Sequence, residues 1–263
     1  MIDYHIHTTL CNHAKKPMEA YVLSAVGKGL KEICFLDHLT LSEAGMHLSM
    51  AKDEVPLYFQ HVQNLKYRFK DIINIKAGLE IDFNPAYHDD YMEIIETYAF
   101  DAIGSSLHFL NNNNMVSSGS SWKNGRGNTD FYYGLYFETL AKMVDSGYFD
   151  ILCHFDMIKK FNRRSVESFE KDIDNIIKEI KKKNIIVEIN TSGFNHPVQD
   201  MYPALEIIKK CCEQKVLITT GSDAHEPENV GQYFDKAFSV LLSAGYTHIT
   251  TFTKRCPKTI PIT

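Results

Sequence analysis

Three observations predict an α/β barrel. Short runs rich in Ile, Val and Phe alternate with helix-length segments from one end of the 263-residue chain to the other. The runs are only loosely alternating in polarity, as expected of parallel strands covered on both faces. No linker, repeat or shift of composition divides the series, so the units are expected to close on themselves as one domain spanning 1–263.

The chain opens on a predicted strand at 2–6. A helix is expected at 17–28, with Pro17 at its first position, where a missing N–H costs nothing. Strands at 32–36, 73–83 and 100–107 are separated by helices at 57–69 and 87–98. The segment 111–128, NNNNMVSSGSSWKNGRGN, is the one long insertion. Loops of that length inside a compact domain are uncommon and often functional. Four consecutive Asn and three Gly leave it little apolar material to pack, and the chain's single tryptophan, Trp122, sits within it close to Lys123 and Arg126. A mobile lid carrying Trp122 over the site is the expectation, set against the simpler reading that Trp122 pins the loop to the barrel. A helix at 131–146 and a strand at 149–153 follow. The next helix, 166–183, carries an apolar stripe of Phe169, Ile173, Ile176, Ile177 and Ile180, with Lys178 and Lys181 to Lys183 facing water. The strand at 185–189, helix at 202–214, strand at 216–220 and helix at 233–244 complete the series. The tail at 247–252 is expected to add one further strand.

Composition narrows the function classes. The chain is 44% hydrophobic and 23% charged, with 8 Pro and 14 Gly, ordinary for a globular protein. A formal charge of −5 argues against a general nucleic-acid-binding surface. No uninterrupted apolar stretch is long enough to span a membrane. The residues after Met1 lead directly into a strand rather than a signal peptide. The six cysteines show no C-x-x-C spacing, and Cys34 and Cys153 fall inside strand-like runs as buried free thiols. A reducing cytoplasm is the expected location.

Nine residues stand at or near the ends of the predicted strands: His5, His7, His13, His38, Glu80, His108, His154, Asp223 and His225. His5 and His7 share one strand face because side chains alternate with period two. Any one of these fragments is a weak signal. Together they are not, because the ends of parallel barrel strands converge on one face, where the active sites of such barrels sit. Seven imidazoles and two carboxylates suit Zn²⁺, Fe²⁺ or Mn²⁺ better than the oxygen-seeking Ca²⁺ or Mg²⁺. Nine ligands exceed one ion and fit three if a carboxylate bridges. His47, His61, His88 and His248 lie outside the pattern, whereas His196 follows the sixth strand on the presumed site face.

The motifs HIHTTLCNH (5–13), LDH (36–38), GLEID (78–82), SLHFL (106–110), CHFD (153–156) and GSDAH (221–225) resemble the PHP (polymerase and histidinol phosphatase) superfamily. Within it the chain looks most similar to the histidinol-phosphatase branch, through SSLHFL, CHFDMIKKF, EINTSGF and MYP. The resemblance implies a distorted seven-stranded (β/α) barrel with three divalent metal ions at the strands' C-terminal ends. By position, His5, His7, Glu80 and Asp223 would hold the first ion. Glu80, His108 and His154 would hold the second, with Glu80 bridging, and His13, His38 and His225 the third. Asp37 and Asp156 would orient imidazoles. Two departures stand out: Leu36 where many members have Thr, and Phe194-Asn195-His196 where a basic residue is expected in many histidinol-phosphatases.

The implied chemistry is hydrolysis of a phosphomonoester, L-histidinol phosphate by resemblance, by a hydroxide bridging the first two ions. Three divalent ions bring about +6, and Glu80 and Asp223 return about −2, so even with a bound hydroxide a phosphate dianion complements the site. Glu80, Asp223 and His225 are the expected catalytic residues, with proton delivery to the leaving alcohol falling to Asp223 or to a water near His225. Lys160, Arg163, His196 and Trp122 are the expected substrate contacts. Lys159 and Arg164 are further phosphate candidates, although the stretch KKFNRR also reads as a solvated loop. The competing readings are a phosphoesterase for nucleotides or oligonucleotide ends, disfavoured by the acidic balance, and a metal-binding regulatory domain without catalysis.

Overall fold

The structure is a computed structural model describing residues 1–125 and 128–262. Seven parallel strands form its central sheet: β1 (Ile2–Ile6), β2 (Glu32–Leu39), β3 (Asn74–Asp82), β4 (Ala102–Ser106), β7 (Ile151–Leu152), β8 (Ile186–Asn190) and β9 (Ile218–Gly221). They pair in chain order. The remaining strands form two separate hairpins, β5 (Phe109–Leu110) with β6 (Asn113–Asn114) and β10 (His248–Thr253) with β11 (Cys256–Pro261). The helices are α1 (Met18–Gly27), α2 (Val55–Arg68), α3 (His88–Thr97), α4 (Thr129–Ser146), α5 (Glu170–Lys183), α6 (Leu205–Glu213) and α7 (Phe234–Ser243).

The sheet curls until its edges meet. Beyond the end of β9, Ala224 bridges Ile6 in parallel: the His7 N–H donates to Ala224 O at 3.0 Å, and the Ala224 N–H donates to His5 O at 3.2 Å. The expected (β/α) barrel with seven strands is therefore nearly closed, and its seam runs through the first and last metal-ligand motifs. Burial of the strands is almost complete on both faces, as their near-continuous apolar runs require. Leu36, the departure noted in LDH, has a structural role. Its methyl groups fill the space beside Gly78 and Gly104, where an added Cβ would lie 2.6 Å and 2.8 Å from them.

Three local expectations are corrected. Pro17 is the N-cap of α1 rather than its first helical residue. Helix α5 begins at Glu170 instead of 166, because Asp130 Oδ1 accepts from the Val166 N–H at 2.9 Å and from the Ser165 hydroxyl, tying that stretch to α4. The tail does form a strand, β10, but it folds back on β11 instead of joining the barrel. Lys254 and Arg255 have φ of 49° and 63°, which makes the tight reversal that turns the chain. The Arg255 guanidinium then grips Asp150 at 2.9 Å, locking the hairpin at the end of the barrel away from the ligand motifs.

Candidate metal centre

Register alone begins to assemble the site. His38 on β2 lies opposite Glu80 on β3, and Glu80 lies opposite Gly104 on β4, so the Glu80 carboxylate projects among its neighbours without a competing side chain. Its Oε2 is 2.8 Å from His38 Nδ1, 3.3 Å from His5 Nε2 and 3.7 Å from His7 Nε2. Its Oε1 is 2.7 Å from His154 Nε2 and 3.7 Å from His108 Nε2. One buried carboxylate thus faces five imidazoles. Asp223 Oδ1 adds a second anion 3.0 Å from His7 Nε2, and the His13 and His225 rings stack at 4.6 Å between centroids. All nine residues expected at the centre are gathered here.

The loops that present them are held by backbone acceptors and buried acids. His13 Nδ1 faces Cys11 O at 2.7 Å, and His225 Nδ1 faces Asp223 O at 3.0 Å, which directs both Nε2 atoms inward. Asp37 Oδ1 accepts from His7 Nδ1 at 3.3 Å and from the His38 N–H at 3.0 Å, the orienting role expected of it. His154 and Asp223 have φ of 27° and 54°, left-handed values sustained only where surrounding bonds over-determine them.

Several of these supports were not foreseen from sequence. Glu188 on β8 binds His5 Nδ1 at 2.6 Å and the His154 N–H at 2.8 Å. Asp82 accepts the His108 N–H at 2.8 Å. Asp3 accepts the Ser222 N–H and the Gly231 N–H, both at 2.9 Å, and so fixes the loop bearing Asp223 and His225. The available signal was a charge inside an otherwise apolar run, as in IVEIN and IDYHI, because a buried carboxylate is rare unless paired. Asp156, expected to orient an imidazole, instead pairs with Lys159 Nζ at 2.9 Å and accepts the Ala204 N–H at 3.1 Å.

Electrostatics separate the imidazoles into two sets. Burial and the neighbouring imidazoles of His38 and His7 push His13 down to about 4. Burial likewise drives His108 and His225 well below the usual imidazole range, although Glu80 and Asp223 pull the other way. For His5 and His7, burial is outweighed by carboxylates: Glu188, Glu80 and Asp223 carry His5 well above its ordinary value, and Asp223 and Asp37 carry His7 to about 9. Glu80 itself is held well below the normal carboxylate range, because His38, His5 and His108 overcome its desolvation. His13, His108 and His225 thus offer neutral nitrogen lone pairs around fixed anions, while His5 and His7 would release a proton to take a divalent transition metal.

Unpaired atoms point the same way. His5 Nε2 and His225 Nε2 are fully buried without a hydrogen-bond partner. Such a group costs about 1–3 kcal/mol unless something else satisfies it. Ligand atoms of His5, His7 and Glu80 lie within 4.8 Å of one another, and so do those of His7, His38 and His225. The residues fit metal ions, with His7 standing between the first and third expected sets.

The centre floors a cavity of about 360 Å³ that is also lined by Lys160, His196, Ser192, Asn114, Phe109 and Met157. Two of the four expected substrate contacts, Lys160 and His196, are therefore brought to it. Arg163 and Trp122 are not among its lining residues. Trp122 is buried, its indole N–H donates to Ile158 O at 3.1 Å, and the Arg163 guanidinium stacks 3.9 Å above its ring while donating to Trp122 O and Thr129 Oγ1. The tryptophan pins the insertion to the barrel. Among the described residues of that segment, only Asn114 and Val116 reach the cavity, and Arg126 lies outside the described residues. Lys159 is likewise committed elsewhere, to Asp156 and Asp200, and Arg164 lines a different cleft.

Known proteins place this geometry. The chain is 26% identical to a Deinococcus radiodurans protein named "Probable histidinol-phosphatase", over 95% of this chain and 96% of that one. It is also 26% identical to the histidinol-phosphatase of Lactococcus lactis subsp. lactis, over 95% and 94%. The fold matches the crystal structure of a Lactococcus lactis histidinol phosphate phosphatase complexed with zinc, L-histidinol and phosphate. That match has a TM-score of 0.86 and 23% identity, and it covers 98% of both chains. The PHP domain model matches residues 3–192, from the first ligand strand through Glu188 and into the cavity wall, and the chain belongs to the PHP domain family.

Proposed function

We propose that the protein is a metal-dependent phosphomonoesterase that hydrolyses L-histidinol phosphate to L-histidinol and phosphate. One observation carries the reading: nine metal-type ligands, Glu80 among them, gather in one cluster, and five of them, His13, His38, His108, Asp223 and His225, line a cavity whose wall also bears a lysine and a histidine. The full-length relatives named histidinol-phosphatase, and the zinc, L-histidinol and phosphate held by the Lactococcus protein, support the substrate. Three divalent ions are proposed, zinc first and iron or manganese as alternatives. His5, His7, Glu80 and Asp223 would hold one, Glu80, His108 and His154 the second, and His13, His38 and His225 the third. When bound, such ions lower the pKa of water and draw charge from phosphoryl oxygens.

The chain's own residues do the rest. Lys160 stands over the floor as the cavity's ammonium. Burial lowers its pKa and Asp223 opposes that shift, so a phosphate dianion arriving there meets a half-buried cation. His196 is pushed down to about 4 by burial and by Lys160, so it is neutral at pH 7 and can donate one hydrogen bond without adding charge. Asp223 is held well below the usual carboxylate range, with His5, His7 and His225 overcoming its desolvation. It is therefore an anion that can orient a proton donor towards the leaving alkoxide rather than be that donor. The cytoplasm is the proposed location, supported by six unpaired cysteines. No helix among the described residues is long and apolar enough to cross a membrane.

Side-by-side turnover tests the reading. The expected kcat/KM for L-histidinol phosphate exceeds that for nucleoside monophosphates or short single strands by at least about a hundredfold, worth about 2.7 kcal/mol. Equal efficiencies across the panel would instead favour a general phosphoesterase.

A further inference from the structure

We infer that Glu188 is the positioning residue that couples two of the metal positions, by gripping His5 with one carboxylate oxygen and the backbone of His154 with the other. Glu188 belongs to none of the three expected ligand sets, and the inference rests on the metal centre proposed above. The Glu188 side chain is buried in β8, and its bonds run into the site: Oε1 to His5 Nδ1 at 2.6 Å, Oε2 to the His154 N–H at 2.8 Å and to Asn190 Nδ2 at 3.1 Å. Asn190 in turn donates to Asp223 Oδ2 at 3.4 Å. The approach is so close that a Cβ on Gly221 would lie 2.0 Å from Glu188 Oε1, so the glycine of GSDAH makes room for this carboxylate.

The two grips have different consequences. Accepting at Nδ1 fixes the proton of a neutral His5 on that nitrogen and leaves Nε2, the buried atom without a partner, as the lone pair offered to a metal. Accepting the His154 N–H holds that residue at φ 27°, the strained conformation that carries its Nε2 to Glu80 Oε1. His5 serves the first ion and His154 the second, so one carboxylate sets the geometry of both. Only a carboxylate can do this. A glutamine has one acceptor oxygen and would turn its amide N–H groups towards either His154 N–H or the protonated His5 nitrogen.

Zinc retention is the readout, with no substrate involved. The zinc-loaded protein and its Glu188→Gln and Glu188→Asp variants are titrated with a chromophoric chelator, and bound zinc is counted per chain. Glu188→Gln is expected to weaken two zinc ions together by about ten- to a hundredfold each, the range for loss of a group that orients a metal ligand. Glu188→Asp keeps the charge but not the reach, and should weaken at least one of them. Wild-type zinc affinity in either folded variant overturns the inference. Tautomers in the unmutated, zinc-loaded protein give a second arm, read from ¹⁵N-histidine spectra. His5 is expected to carry its proton on Nδ1 and its metal on Nε2, and the reverse arrangement overturns the inference without any variant. If the unmutated protein binds no zinc, it is the proposed metal centre that fails.

Discussion

Replacing Glu80 by Gln is the sharpest test of the centre, because Glu80 alone faces both ends of the imidazole cluster. The substitution keeps shape and removes one charge. Two unit charges about 4 Å apart in an effective dielectric of about 20 interact by about 4 kcal/mol, and a divalent ion doubles that. The carboxylate also pays a desolvation cost that the amide avoids, which offsets part of the gain. Setting the offset at about half leaves about 4 kcal/mol per ion, or roughly a thousandfold in affinity. Two ions share Glu80 in the proposed set, since Oε2 lies among His5, His7 and His38 and Oε1 lies beside His154 and His108. The variant should therefore retain at most one tightly held zinc under chelator competition. Its kcat/KM for L-histidinol phosphate should fall by at least about a thousandfold. A Glu80→Gln protein with full zinc content and normal turnover would refute the bridging role.

Trp122→Ala should destabilise the fold by about 3–5 kcal/mol, the usual cost of emptying a buried aromatic site, while leaving KM nearly unchanged. In the unmutated protein the Trp122 fluorescence should not respond to phosphate, and a metal-dependent shift would restore the lid reading. Asp3→Asn should cost about 1–3 kcal/mol by turning an amide N–H towards the donors at Ser222 or Gly231, and should weaken zinc binding by displacing the loop of Asp223 and His225. Denaturant titration and zinc counting check both effects. The chelated protein should lose stability on both sides of neutrality. His7, raised to about 9 by Asp223 and Asp37 against its burial, contributes stability fully below about 6.5, and that contribution is lost as pH rises through about 9. His108 and His225 are lowered by burial, so the unfolded chain takes up protons first as pH falls below about 6.5 and unfolding is favoured there. Thermal unfolding of the metal-free protein across this range should peak near neutrality, and a monotonic profile would contradict the assignment.

The barrel and the ligand shell were legible in the sequence for one physical reason. A parallel strand covered on both faces must be apolar throughout, so a His or Glu interrupting such a run, or placed at its end, is conspicuous. His5 and His7 within IDYHIH and Glu80 within GLEID are of this kind. Register then brought His38 opposite Glu80 without any help from loops. What was not legible depends on pairings between distant segments. Trp122, flanked by polar residues, left both a lid and a pin open, because its partners are Ile158 O and the Arg163 guanidinium, set by the packing of a later loop. The tail read as one more strand because periodicity reports strand type and not the partner, and the reversal at Lys254 and Arg255 carries no glycine to announce it.

Glu188 shows where the two kinds of information meet. Its place in IVEIN breaks an apolar run as plainly as Glu80 does in GLEID, yet one carboxylate faces imidazole nitrogens across the barrel while the other grips a ring and a backbone amide. Sequence marks both as buried acids that must be paired, because an uncompensated carboxylate in the interior is too costly to persist. Only the partner's identity separates a metal ligand from a residue that aims one. That distinction is set by which side of His5 each acid reaches: Glu80 lies at Nε2, where a metal would sit, and Glu188 at Nδ1, behind the ring. A ring held between two carboxylates in this way has no freedom to rotate, which is the condition for a ligand atom to wait, unpaired, in a buried site.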